Sequence, residues 1–159
     1  MSFDVMPKLS PIASLTPDLV ATATLAVDTR GEGFVDITGA VADFIRQAGA
    51  ADGVLMMFMR HTSASLVIQE NADPDVRTDL TSALRALAPA NAGWVHDTEG
   101  PDDMPAHVKT MLTGICLHVP VDDGALALGT WQGIYVVEHR ARGHRRDVVL
   151  QFLGTRRRT

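Results

Sequence analysis

The chain has 159 residues, enough for one compact domain and too few for two of ordinary size. With 46% hydrophobic and 21% charged residues, it is no disordered tail, collagen-like fibre or coiled coil, and no run approaches the roughly 18 uninterrupted apolar residues of a membrane-spanning helix. The net charge of −5 makes nucleic acid a poor partner, although Arg140, Arg142, Arg145, Arg146, Arg156, Arg157 and Arg158 give the chain a basic end.

In chain order the hydrophobic period is mostly two, with three helical interruptions. Residues 1–20 form an extension carrying Asp4 and three prolines, without the basic-then-apolar order of a secretory signal. Ala21–Asp28 alternates as a half-buried strand, and Arg30–Gly33 turns into a short strand, Phe34–Ile37. Thr38 is the expected N-cap of a helix to Ala48, with Val41, Phe44 and Ile45 on one face. Gly53–Arg60 and Ser65–Glu70 read as strands joined through His61, Thr62 and Ser63. Asp73-Pro74 opens a second helix to Leu87, since proline suits the first turn, and Val76, Leu80, Leu84 and Leu87 mark its expected buried side. A loop from Pro89 to Asp102 leads to a third helix, from Asp103 to Thr113, that ends at Gly114. Strands Ile115–Val121, Ala125–Leu128, Gly133–Arg140 and Arg146–Leu153 follow, joined by short turns. Strands joined mostly by turns predict an α+β domain, mainly an antiparallel sandwich or barrel with about three inserted helices. The single cysteine, Cys116, forms no internal disulfide and is expected as a buried, inert thiol on a strand, with the cytoplasm as the compartment.

The chemistry concentrates between Trp94 and His107, where His96 and His107 share a loop and a helix start with Asp97, Glu99, Asp102 and Asp103. So many like charges repel one another unless a cation or a shared proton intervenes. Imidazole and carboxylate suit zinc, and carboxylates alone suit magnesium. A divalent ion, magnesium or zinc, is expected on His96, Glu99, Asp102 and His107. The structural alternative is that Asp102 or Asp103 caps the helix and His107 faces solvent. His61 ends a buried strand, where an active-site mouth opens, and no Gly-x-Ser-x-Gly elbow surrounds Ser63 or Ser65. Asn71 and Asp73, at a helix start, either receive a phosphate through a cation or serve as turn and cap. Gly129-Thr130-Trp131-Gln132-Gly133 marks a tight bend or a close approach to a ligand or a second chain.

Taken together, His61-Thr62-Ser63-Ala64-Ser65-Leu66, Glu70-Asn71, Asp73-Pro74, His96-Asp97, Glu99-Gly100, Asp102-Asp103-Met104-Pro105, His107, Gly129–Ile134, Glu138-His139-Arg140 and Arg145-Arg146 resemble the YjbQ-like family, whose members are often named secondary thiamine-phosphate synthases. The match runs from about Ala21 to Gly154, leaving residues 1–20 and a basic tail, 155–159, outside it. Ile115-Cys116-Leu117 departs from the family, where Ser-Leu often follows the glycine that ends the third helix. The resemblance implies a jelly-roll-like β-sandwich, assembly as a homotrimer, and a weak transferase activity. That activity joins an aminopyrimidine diphosphate to a thiazole phosphate, with loss of diphosphate. In that chemistry Asp and Glu hold the divalent ion, and His61 or His107 gives a proton to the departing oxygen, with Asp103 and Gln132 beside them. Arg140 or Arg145 clamps phosphate, Trp131 stacks on the pyrimidine, and Thr130, Asn71 and Asp73 complete the substrate contacts. These groups are expected to converge on one pocket. The alternatives are a metal-dependent hydrolase of small phosphorylated metabolites and a non-enzymatic trimeric module binding a metabolite or metal.

Overall fold

In the computed structural model, which describes residues 7–158, β1 (Leu19–Asp28) pairs antiparallel with β8 (Arg145–Arg156) along its full length. Beyond β8 lie β3 (Ala50–Met59), β5 (Cys116–Asp122) and the two-residue β6 (Ala125–Leu126), giving a five-stranded sheet in the order β1-β8-β3-β5-β6. A second sheet has the order β2-β7-β4, from β2 (Gly33–Asp36), β7 (Gln132–Glu138) and β4 (Ala64–Glu70). Every strand pair is antiparallel. Helices α1 (Thr38–Gln47), α2 (Pro74–Leu87) and α3 (Asp103–Thr113) complete the α+β architecture that the strand-and-turn pattern predicts.

One core serves both sheets. Leu55, Met57 and Met59 point inward from β3, the middle strand of the large sheet, toward Val148, Leu150 and Phe152 of β8 and Val119 and Val121 of β5. Leu66 of β4 and Ile134 and Val136 of β7 face them from the small sheet. Val41 and Ile45, four apart and so on one side of α1, seal one flank. Among the described residues, no helix is long and apolar enough to cross a membrane.

Several local expectations need correction. Ile37, not Thr38, is the N-cap of α1. The Thr38 hydroxyl accepts the Ile134 N–H at 2.8 Å, and Asp36 takes the Thr38 N–H at 2.8 Å, so threonine joins the helix to β7. The apolar stripe of α2 is only half covered: Val76, Leu80 and Leu84 are partly exposed and Leu87 is exposed, because α2 lies on the surface. The strand expected over 125–128 stops at Leu126, β8 runs past Gly154 to Arg156, and Cys116, expected to be buried, is exposed because it opens β5 on the outward side.

The large sheet carries one irregularity, an extra residue in β3 between Ala50 and Gly53 opposite β8. Gly53 and Gly154 meet there, and a Cβ on Gly154 would strike the Asp52 carbonyl and the Phe152 ring, the latter at 2.6 Å. Gly154→Ala is therefore expected to destabilise by at least the ~1–3 kcal/mol typical of overpacking. Urea unfolding checks this, and an unchanged midpoint would mean that the two strands separate freely at the bulge.

Candidate metal centre

Helix periodicity sets the first two groups of the site. Asp103 and His107 are four residues apart, hence on one face of α3, and Asp103 is only 1% exposed. His96 arrives from the preceding loop, which Trp94 pins by donating from Nε1 to the Pro89 carbonyl at 2.8 Å. Gly100, with φ +111°, makes the reversal that carries this loop into α3, a conformation side chains resist. His96 Nε2 then lies 2.8 Å from Asp103 Oδ2 and the two imidazole rings 5.6 Å apart. One ligand atom from each of His96, Asp103 and His107 falls within 4.8 Å of the others.

The hydrogen bonds show how these groups are oriented. His107 Nδ1 sits 2.9 Å from the Thr62 carbonyl, which only accepts, so Nδ1 carries the proton. The other ring nitrogen, Nε2, points toward Asp103, 3.7 Å from Oδ1. Oδ2 is buried and receives no hydrogen bond, because the close His96 nitrogen is not aligned to give one. The orphaned carboxylate oxygen and the two imidazoles offer donor atoms to one space, the disposition of ligands around a cation.

Arg140 supports the carboxylate from behind. Its Nη1 binds Asp103 Oδ1, its Nε donates to Asp102 Oδ2 at 3.1 Å, and its Nη2 donates to the Glu99 carbonyl at 2.7 Å. Asp102 also accepts the Ala141 N–H at 2.8 Å. Burial pushes the Asp102 carboxyl up, but the Ala141 N–H and Arg140 outweigh it and hold it below its usual range. Three carboxylates (Glu99, Asp102, Asp103) surround one guanidinium, an excess of negative charge that suits a cation.

A buried layer lies beside this cluster. Glu138 and Arg146 pair through Arg146 Nε at 2.8 Å and Nη2 at 2.6 Å, and Glu138 also accepts from the Thr29 hydroxyl at 2.8 Å and the Arg140 N–H at 3.0 Å. Burial raises the Glu138 pKa, but Arg146 and these donors bring it below the ordinary value. Arg146 Nη2 also reaches Ser63 Oγ at 3.1 Å, and Ser63 lies 3.0 Å from His61 Nδ1. The Ser63 N–H donates to the same nitrogen at 3.1 Å. His61 thus keeps its proton on Nε2, while burial and then the Arg146 cation push its pKa down.

A family model described as UPF0047 protein YjbQ-like matches residues 23–155. The chain belongs to the YjbQ family. A UPF0047 protein of Synechocystis is 44% identical over 131 residues, which cover 82% of this chain and 89% of that protein. The UPF0047 protein YjbQ of Salmonella typhimurium is 40% identical, covering 82% and 96%. Among solved structures, a hypothetical protein of Aeropyrum pernix superposes with a TM-score of 0.78 at 31% identity, covering 84% of this chain and 98% of that one. Likeness of this kind fixes fold and family, while activity lives in the site.

Within this YjbQ chain the residues expected in one pocket divide into two groups. His61, His96, Glu99, Asp102, Asp103, His107 and Arg140 gather at one end of the β4–β7 pair. Asn71, Asp73, Thr130, Trp131 and Gln132 lie at the other end, because Glu70 pairs with Gln132 while Ala64 pairs with Glu138. Six residues of strand separate the ends, about 20 Å. A single-chain pocket containing both groups is ruled out by that register.

Most of the second group serves local structure. Asp73 caps α2 by accepting the Asp75 N–H at 2.9 Å, and Asn71 donates to the Gln132 carbonyl at 3.3 Å. Gln132 closes its own turn by accepting the Gly129 N–H at 2.8 Å. Thr130 and Trp131 stand exposed. Of the expected ligands, Asp102 is committed to Arg140 and Ala141, and Glu99 reaches only Arg140 at 3.6 Å. Asp103 takes their place in the cluster. Arg140 is already saturated with carboxylates and so is not a free phosphate clamp. Arg145 faces outward in β8 while its neighbour Arg146 points in. Sequence reasoning missed Glu138, Ser63 and Arg146 as a unit. The signal was the charged run Glu138-His139-Arg140 directly after the apolar strand Ile134–Val137.

Proposed function

We propose that this protein uses a divalent ion held by His96, Asp103 and His107 to act on a small phosphorylated metabolite, with thiamine-phosphate synthesis as the specific reaction. The observation that carries the metal is the buried, donor-free Asp103 Oδ2, with one ligand atom from each of His96, Asp103 and His107 within 4.8 Å of the others. Two imidazoles and one carboxylate leave coordination positions open to substrate, as in catalytic rather than structural sites. When bound, the ion supplies positive charge that stabilises a departing phosphate or diphosphate. The chain's own groups divide the remaining work. Arg140 orients Asp103, the Thr62 carbonyl fixes the His107 tautomer, and His61, with its proton on Nε2, is a neutral donor to an anionic oxygen at the same mouth. The synthase reading rests on the family resemblance.

Titration calorimetry with zinc, manganese and magnesium tests the site. Asp103→Asn and His107→Ala are each expected to weaken binding of the preferred ion by at least about tenfold, as losses at metal ligands and their supports do. Glu99→Gln is expected to change it little. Equal affinity in all four proteins would overturn the assignment. An assay with the aminopyrimidine diphosphate and thiazole phosphate pair should give coupled product and diphosphate. Release of diphosphate without coupling would instead assign a hydrolase.

A further inference from the structure

Lysine is almost never fully buried unless its charge is paired and its donors are filled. Lys109, in the body of α3, is only 4% exposed. Its ammonium carries three N–H donors, and among the described residues one acceptor meets them, Glu32 Oε1 at 2.5 Å. Glu32 is itself shared, since its Oε2 accepts from Arg85 Nε at 2.6 Å. Burial pushes the Glu32 carboxyl up, but Lys109 and Arg85 outweigh it and hold it below its ordinary range. One carboxylate thus answers two cations.

These three groups line a cavity of about 340 Å³ between the end of α2, the buried side of α3 and the segment after β7. Pockets for small ligands run from roughly 300 to 1,000 Å³. Ala88, Pro89, Ala90, Pro105 and Ala141 form its apolar walls. Hydrogen bonds fix those walls in advance: Trp94 Nε1 holds the Pro89 carbonyl at 2.8 Å, and Asp102 holds the Ala141 N–H at 2.8 Å. His139 borders the cavity too, with Nε2 2.9 Å from the Ser65 hydroxyl and Nδ1 without a partner among the described residues. Asp102 is the remaining charged neighbour, and Arg140 takes its charge. His96, Asp103 and His107 do not line this space, which is therefore separate from the metal centre.

The chemistry of the lining selects an occupant. Ordered water needs roughly two to four polar partners, and alanine and proline side chains supply none. Two cations against one carboxylate leave a single positive charge, and the unfilled donors of Lys109 require acceptor oxygens. A phosphate group brings up to about two negative charges and three acceptor oxygens, more than these groups can answer. A carboxylate brings one charge and two oxygens. We propose that this cavity binds a small monocarboxylic acid, with its carboxylate on Lys109 and its apolar body against the alanine and proline walls. The site stands whether or not a divalent ion occupies the metal centre.

An NMR titration of the full, isotope-labelled chain with benzoate is the test. The amide signals of Ala88, Ala90 and Ala141 are expected to shift and to saturate with a Kd of about 10 mM or tighter, the modest end for a ligand of this size. Benzamide, the neutral isostere, should bind at least about tenfold more weakly, and so should benzoate to Lys109→Met. Ala90→Phe crowds the cavity from an exposed position and leaves both ion pairs in place. It should weaken benzoate to the same degree with thermal melting unchanged, and it decides the matter if Lys109→Met does not fold. Absence of saturation would overturn the proposal, as would shifts confined to His96 and His107 at the metal centre. Equal binding of benzamide, or an Ala90→Phe chain that binds like wild type, would overturn it as well. Inorganic phosphate moving the same three amides at lower concentration than benzoate would assign a phosphate site instead.

Discussion

Arg146→Met is expected to lower the unfolding free energy by about 3–5 kcal/mol, because it leaves the fully buried Glu138 carboxylate without its cation. For a chain of this size that corresponds to a fall in Tm of roughly 10 °C. The pair itself is a weaker source of stability than this number suggests, since desolvating both charges offsets much of their attraction. Replacing both partners, with Glu138→Leu added to Arg146→Met, is therefore expected to recover much of the loss. Urea unfolding of the two single variants and the double variant closes the cycle. A single-variant loss below about 1 kcal/mol would show that water already reaches Glu138. The same cycle bears on the site, because Arg146 also holds Ser63, and through it the tautomer of His61.

Stability is expected to fall by about 2 kcal/mol between pH 7 and pH 5, with His139 the main cause. His139 is buried, with Nε2 2.9 Å from the Ser65 hydroxyl. Burial, followed by the nearby Lys109 cation, pushes its pKa from 6.5 to about 4. Above pH 6.5 the ring is neutral in both states and stability is at its full value. As pH falls below 6.5 the unfolded chain takes up a proton that the folded one refuses, so stability declines until pH reaches about 4. Glu138 and Asp102 act in a lower window. Their folded pKa values are depressed, so their contribution is lost only as pH drops below the unfolded values of 4.5 and 3.8. His139→Gln should flatten the decline between pH 6.5 and 4.5 while leaving the steeper acid limb. An unchanged slope in that variant would place the proton on another group. Exposed His61 shifts in the same direction but is screened by solvent.

Local signals in the sequence located most elements. Asp73-Pro74 starts α2 because the aspartate caps and the proline needs no partner for its missing N–H. Gly114 ends α3 with φ +91°. The i, i+4 spacing of Asp103 and His107 was sufficient to put both on one helix face. The motif stretch from His96 to His107 therefore held the candidate ligands, while the carboxylate that the fold brings within reach of both histidines is Asp103. Asp102, Asp103 and Glu99 have the same chemistry. What separates them is Arg140, 37 residues beyond Asp103, which takes Asp102 and leaves one oxygen of Asp103 free.

The motifs carried the family, and local pattern determined the α+β class, the order of strands and helices and the histidine-carboxylate cluster. These follow from periods of 2 and 3.6, from caps and glycines, and from residues close along the chain. Only the tertiary structure decided which end of the β4–β7 pair each candidate occupies, that Arg146 faces in while Arg145 faces out, and how much of the α2 stripe is covered. Strand register and the parity of each strand depend on partners tens of residues away. A shift of one residue reverses every side chain on the strand, and no local pattern encodes that choice.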